Sequence, residues 1–265
     1  MQRNLILIHG AWLAANSWDE FSGYFSQLGY NVIAPEWPRK HEGVEAQRED
    51  SGPIHGLGVE EIVDHYEAII RELDSPPVIV GHSFGGLFTE LLLDRGLGVA
   101  GVALDPAPAK GVLRLPFSTL KAAFPVLGNP GNKKKAVQLT ESQFHYAFTN
   151  TLSEEDAKPI YERYAVPGIG LPLFQGAAAN FNPSAETKVD WHNGTRAPLL
   201  IVGNSKDHTV PAAVSKEAYS RHKKHSKAIT AWKLYEDRPH LTGGVPGWEA
   251  VADESLAWAE NPVVS

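Results

Sequence analysis

The residue string most able to do chemistry is Gly81-His82-Ser83-Phe84-Gly85-Gly86, which follows the apolar run Val78-Ile79-Val80 and precedes the apolar stretch Leu87–Leu93. A serine between glycines at this spacing, entered from a strand and left by a helix, is a nucleophile turn. The glycines have a steric task, because a Cβ at 81 or 85 would collide with the neighbouring strand and helix. In isolation the string could be an inert Gly/Ser turn; the strand–turn–helix context is what gives it meaning. A serine hydroxyl attacks well only when a base takes its proton and a third group orients that base. His82 adjoins Ser83, yet neighbouring side chains on so tight a turn point apart, so His82 reads as a packing or orienting group.

In this arrangement the acid follows the serine and the base follows the acid. Downstream, Leu199–Val202 reads as a buried strand leading into Gly203-Asn204-Ser205-Lys206-Asp207-His208. Asp207 therefore stands just past a strand's C-terminal end, where catalytic loops gather. Asp105, ending an earlier strand, is the rival acid, although Asp105-Pro106 also suits a plain turn. Of eleven histidines, only His240 lies in a loop between the last strand and the last helix. His9, before Gly10 at a strand end, is expected to be structural. Acyl transfer further needs oxyanion donors, expected from the backbone N–H groups of Phe84 and Ala11, with Gly10 allowing close approach of the loop.

These residues need a frame. Short apolar runs alternate with amphipathic stretches, which predicts βαβ units and a parallel sheet. Strands are expected at Leu5–Ile8, Asn31–Ala34, Pro77–Val80, Val99–Leu104, Pro198–Val202 and Ala228–Leu234. Helices are expected at Val59–Leu73, Gly85–Arg95, Ala212–His222 and Trp248–Ala259. Ile62, Tyr66, Ile69, Ile70 and Leu73 form the apolar stripe of the first helix. Residues 106–197 break the rhythm: they are rich in aromatics, Pro and Gly, and hold no convincing buried strand. A structureless loop of that length is implausible, so this is expected to be a mostly helical cap, with helices at Leu139–Thr149 and Ser153–Tyr164. Ser153, followed by Glu154, Glu155 and Asp156, is a good N-cap. Residues 1–105 and 198–265 would form the core domain.

The set His9-Gly10-Ala11-Trp12, the Gly81–Gly86 turn, Asp207 and His240 resembles the α/β-hydrolase superfamily. It is most similar to the small serine esterases and hydroxynitrile lyases whose chain begins at the superfamily's third strand. The resemblance implies an α/β-hydrolase fold with a mainly parallel six-stranded sheet, flanking helices and a helical cap. It implies hydrolysis of a carboxylic ester, thioester or lactone. Perhydrolysis, C–C hydrolysis or lyase chemistry on the same triad, or a small-molecule receptor, are the alternatives. Related dehalogenases and epoxide hydrolases use Asp where Ser83 stands, and the hydroxynitrile lyases have Thr where Gly10 stands. Trp12, Phe144 and Phe148 are the expected substrate contacts.

Composition sets the outer limits. The chain has 265 residues, 43% hydrophobic and 21% charged, an ordinary globular balance. With no Cys there is no thiol nucleophile or disulfide framework, and no cofactor or metal ligand set stands out. The formal net charge of −7 argues against a nucleic-acid surface. The basic runs Lys133–Lys135 and Arg221–His225 read as solvated charges. No run approaches the ~18 apolar residues of a membrane span, and no signal peptide is evident. The expected partner is a small-molecule substrate in the cytoplasm, without nucleic acid or membrane. A second copy of the chain, as a homodimer, is the one protein partner kept open.

Overall fold

A computed structural model of the chain describes residues 3–264. Its strands are β1 (Arg3–Ile8), β2 (Tyr30–Ile33), β3 (Val78–His82), β4 (Ala100–Leu104), β5 (Ala136–Val137), β6 (Gly168–Ile169), β7 (Leu199–Asn204) and β8 (Thr230–Tyr235). The longer helices are α1 (Asp19–Gln27), α2 (Val44–Glu49), α3 (Val59–Arg71), α4 (Phe84–Asp94) and α5 (Phe117–Leu127). They continue with α6 (Glu141–Phe148), α7 (Glu154–Tyr164), α8 (Gly170–Ala178), α9 (Ala212–His225) and α10 (Trp248–Glu260). Six strands form one sheet in the order β2-β1-β3-β4-β7-β8, parallel throughout.

Alternation along each strand sorts side chains onto two faces. Ile6, Ile8, Ile79, Leu199 and Ile201 face one core with residues of α3, α4 and α9. Leu5, Leu7, Val78, Val80, Leu200 and Val202 face the other, against Phe21 and Phe25 of α1 and Val251, Ala252 and Leu256 of α10. Both faces being covered explains why these strands read as unbroken apolar runs. Each fully buried side chain of this size stabilises the fold by roughly 1.5–3 kcal/mol.

The register brings the strand ends together. Ile8 pairs with Gly81, Gly81 with Ala103, and Leu104 with Val202. The loops that follow β1, β3, β4, β7 and β8 therefore leave one edge of the sheet side by side. They carry His9–Trp12, Ser83, Asp105, Asp207 and His240. Sites in doubly wound sheets gather at that edge.

Between β4 and β7 the chain forms α5–α8 and a small antiparallel pair, β5 with β6. Thr140 and Gln143 close a reciprocal capping box at the start of α6. Ser153 accepts from the Asp156 amide, with three acids in the first turn of α7. Several contacts join this segment to the rest of the chain, among them these. The Val166 amide donates to Trp12 O at 3.0 Å, the Leu241 amide donates to Phe148 O at 3.0 Å, and the Arg48 guanidinium donates to the carbonyls of Tyr161, Glu162 and Ala165. The β5–β6 pair lies outside the sequence expectation. So do α1 and α2, and α5 and α8 are helices of the expected helical segment that the sequence does not place individually. Among the described residues no helix is long and apolar enough to cross a membrane.

Candidate active site

Ser83 sits at the join of β3 and α4 with φ 58° and ψ −119°. That left-handed conformation costs a non-glycine residue about 1–3 kcal/mol, so the surroundings must impose it. They do. A Cβ on Gly81 would strike the Gly85 carbonyl, and one on Gly85 would strike the carbonyl of Ile8. The turn can close only where both side chains are absent. Ser83 is 5% exposed and stands at the positive end of α4, whose first amides have no carbonyl one turn earlier.

Asp207 and His240 come together across two loops. The His240 Nδ1–H donates to Asp207 Oδ2 at 2.6 Å, and both side chains are fully buried. The other carboxylate oxygen accepts the amides of Thr209 and Val210 at 2.6 and 2.8 Å. Asp207 is thus immobile, and its bond sets the imidazole tautomer with the lone pair on Nε2. That Nε2 is buried without a hydrogen-bond partner among the described residues, so the link from Ser83 to His240 is not made in this structure. Long nucleophile–base contacts are common before substrate arrives. The loop holding His240 is braced by Arg238, which donates to the Thr242 hydroxyl at 2.7 Å and to the Thr242 carbonyl at 2.5 Å.

Asp105 lies nearby but holds no bond to His240. Its Oδ2 accepts from Asn204 Nδ2 at 2.5 Å, and the same amide donates to the carbonyl of Pro239 at 3.1 Å. Burial, followed by the negative charge of Asp207, pushes the Asp105 carboxyl well above the usual carboxylate range. Its other oxygen has no partner. The structure therefore pairs His240 with Asp207 and leaves Asp105 joined through Asn204 to the backbone just before His240.

His82 fulfils a role that sequence reasoning described only as packing or orienting. Its Nε2–H donates to the His240 carbonyl at 2.8 Å, and the two rings lie tilted against each other with centroids 4.6 Å apart. Burial and the neighbouring His240 hold His82 well below the usual histidine range, so it is neutral. One His82 nitrogen, one Asp105 oxygen and one His240 nitrogen lie within 4.8 Å of one another.

The loop after β1 presses directly on Ser83: a Cβ on Gly10 would come within 2.8 Å of Ser83 Cβ. His9 Nδ1–H donates to the Gly10 carbonyl at 2.8 Å. Because the peptide is planar and trans, that bond aims the Ala11 N–H of the same unit the opposite way. Glu36 braces this loop, accepting from the Ala15 amide at 3.0 Å and from Lys40 Nζ at 3.3 Å, with His9 Nε2 at 3.2 Å. Burial opposes ionisation of Glu36, but His9 and Lys40 outweigh it and hold the carboxyl at about 2. Burial also brings Lys40 down to about 8. Sequence reading missed this group; its only trace was a carboxylate and a lysine four residues apart beside Trp37 and Pro38.

Of the expected substrate contacts, Phe148 packs edge-on against His240 with centroids 5.2 Å apart, and Trp12 meets Phe148 at 6.2 Å. Phe144 is one ring further away, stacked on Phe148 at 4.6 Å. Trp12 itself has a positive φ of 61°.

The sequence pattern of the α/β hydrolase family matches residues 5–253, and the chain belongs to that family. Comparison with curated protein sequences returns no match. Among solved structures, a variant of polyneuridine aldehyde esterase is similar at 19% identity and TM-score 0.68, covering 97% of this chain and 99% of its own. A pyrethroid hydrolase from Sphingobium faniae is similar at 17% identity and TM-score 0.69, covering 99% of each chain. An extracellular α/β-hydrolase from a Paenibacillus species, described as sharing structural and functional homology with tobacco salicylic acid binding protein 2, is similar at 20% identity and TM-score 0.68, covering 97% of this chain and 98% of its own. At these identities the likeness is one of fold.

Proposed function

We propose that this α/β hydrolase cleaves carboxylic esters of small, moderately apolar substrates, thioesters and lactones included, through an acyl-enzyme on Ser83. The observation that carries the reading is the buried Asp207–His240 bond, which leaves a lone pair on Nε2 beside the strained Ser83 turn. Ser83 Oγ attacks the carbonyl carbon while His240 Nε2 takes its proton. The oxyanion that forms accepts from the amides of Phe84 and Ala11, each such donor contributing about 3 kcal/mol to the barrier reduction. His240 then protonates the departing alcohol as the carbonyl re-forms. A water repeats the sequence, giving its proton to His240 and its oxygen to the acyl carbon, and Ser83 is released. Trp12 and Phe148 would form the apolar wall, Phe144 would back Phe148, and residues 106–197 would serve as the cap over the core made by 1–105 and 198–265. We assign the enzyme to the cytoplasm, acting on a free small molecule.

A panel of p-nitrophenyl esters of increasing acyl length tests the activity, with Ser83→Ala as control. Turnover by the wild-type chain and its loss in the variant is the expected pair of results. No turnover of any ester, or equal turnover by both proteins, would sink the proposal. Intact-mass detection of a fluorophosphonate adduct on Ser83 separates an enzyme from a receptor that merely uses the pocket.

A further inference from the structure

The segment that opens the cap is electrically unlike the remainder of the chain. Between Asp105 and Glu141 there is no acidic residue, while Lys110, Arg114, Lys121, Lys133, Lys134 and Lys135 all fall there, in a chain of formal net charge −7. The same segment holds a run of exposed large apolar side chains. Leu113 is 68% exposed, Leu115 62%, Phe117 80%, Leu120 44% and Phe124 69%. Phe117, Leu120 and Phe124 are three and four residues apart and so share one face of α5. Ala122 and Val126, on the opposite face, are the ones buried against the protein. α5 is thus amphipathic twice over, with a second apolar face turned to solvent.

The patch extends beyond the helix. Asn180 accepts from the Gly111 amide at 2.7 Å and donates to the Val112 carbonyl at 2.9 Å. Those bonds tie the turn carrying Phe181, 90% exposed, to the start of the segment. An acid from another element, Glu217 of α9, reaches the segment. It accepts the amides of Leu113 and Arg114 and is paired with Arg221 at 3.0 Å, so it leaves the face cationic.

We propose that this face of the cap docks on an anionic lipid bilayer, with α5 lying in the plane of the headgroups. A helix with exposed Phe and Leu on one side and cations along its flanks has the composition of an interfacial element, and clustered Lys and Arg select acidic lipids. A second copy of the chain fits the face poorly. A two-fold contact sets the same patch against itself, bringing each cluster of cations against its twin. The proposal departs from the expectation of no membrane partner, which rested on the lack of a spanning run; lying on a surface needs no such run. The inference stands independently of the ester reading.

The test is flotation of the purified full chain with vesicles of phosphatidylcholine mixed with phosphatidylserine at about 3:1, against vesicles of phosphatidylcholine alone. The wild-type chain should float with the acidic vesicles at least ~10-fold better than with the neutral ones. Phe117→Ser with Phe124→Ser should reduce that binding ~10-fold or more, as should Lys133→Glu with Lys134→Glu. All these side chains are exposed, so melting temperature and turnover of a soluble ester should stay at the wild-type values in both variants. Absence of flotation by the wild-type chain, or undiminished flotation by both variants, overturns the proposal. A dimer in sedimentation velocity that Phe117→Ser with Phe124→Ser converts to monomer, without vesicle binding, gives the face to a second copy and overturns it too.

Discussion

Replacing Asp207 by Asn tests the acid assignment at the level of single protons. The Oδ1 atom of Asp207 accepts two amides, at 2.6 and 2.8 Å, so an asparagine there must place its carbonyl oxygen on that side. The reverse orientation would aim two N–H groups at two N–H groups. The amide nitrogen then faces His240 Nδ1, where the carboxylate oxygen had accepted at 2.6 Å. His240 Nδ1 can now only accept, its proton moves to Nε2, and Nε2 can no longer take the proton of Ser83. The corresponding change in a serine triad costs ~10⁴ in kcat, about 5.4 kcal/mol. Asp105→Asn should behave differently, because Asp105 holds no bond to His240 and burial beside Asp207 already pushes its carboxyl well above the usual carboxylate range, towards the neutral form that an amide mimics. An amide oxygen can replace Oδ2 as acceptor for Asn204, and kcat should change less than ~3-fold, under about 0.7 kcal/mol. Steady-state hydrolysis of a p-nitrophenyl ester, with the rate of fluorophosphonate labelling as a second readout, measures both variants. If Asp105→Asn loses as much kcat as Asp207→Asn, the acid has been misassigned.

Other consequences can be measured alongside. Phe148→Ala removes a ring that is fully buried and rests on His240. It should cost about 3–5 kcal/mol in chemical denaturation and lower kcat more than the equally buried Phe144→Ala, which touches no triad member; equal kcat losses would remove Phe148 from the site. The raised Asp105 carboxyl makes a signed statement about pH. The native state holds a proton that the unfolded chain releases near pH 4, so this group lowers stability progressively as pH rises above that value. Asp105→Asn should therefore gain in melting temperature relative to wild type between pH 4.5 and pH 8, and a constant difference across that range would refute it. Glu36 has the opposite sign. Its contribution is present above the ordinary carboxylate range and is lost as pH falls towards about 2, so Glu36→Gln should flatten the wild-type stability curve on that acid limb.

What could be read from the sequence follows from how local the physics is. The sheet was legible because strands buried on both faces must be apolar at every position, as in Ile79 and Val80 or Ile201 and Val202. The last strand begins at Thr230 rather than Ala228, since the Ala228 amide donates to the Ser226 hydroxyl and belongs to a turn. The helix α1 passed unnoticed because Gly23 and Ser22 interrupt it and only Phe21 and Phe25 mark its inner side. A two-residue strand such as β5 leaves no period to detect. In the site, Ser83 could be placed from its own neighbours, because the strain is local to six residues. Which of Asp105 and Asp207 faces His240 depends on loops from different strands, and order along the chain gave a ranking without a geometry. The bond from His82 to the His240 carbonyl joins residues 158 apart, and nothing in either neighbourhood announces it.

The hydrogen bond from the Leu241 amide to the Phe148 carbonyl has a consequence for anyone who would re-engineer this enzyme. The residue after His240 is fastened to the last turn of α6, which couples the proposed roof directly to the proposed proton acceptor. A transplanted roof from a relative would need a carbonyl at that one spot, whatever else it changed, or the borrowed specificity would arrive with the trigger uncocked.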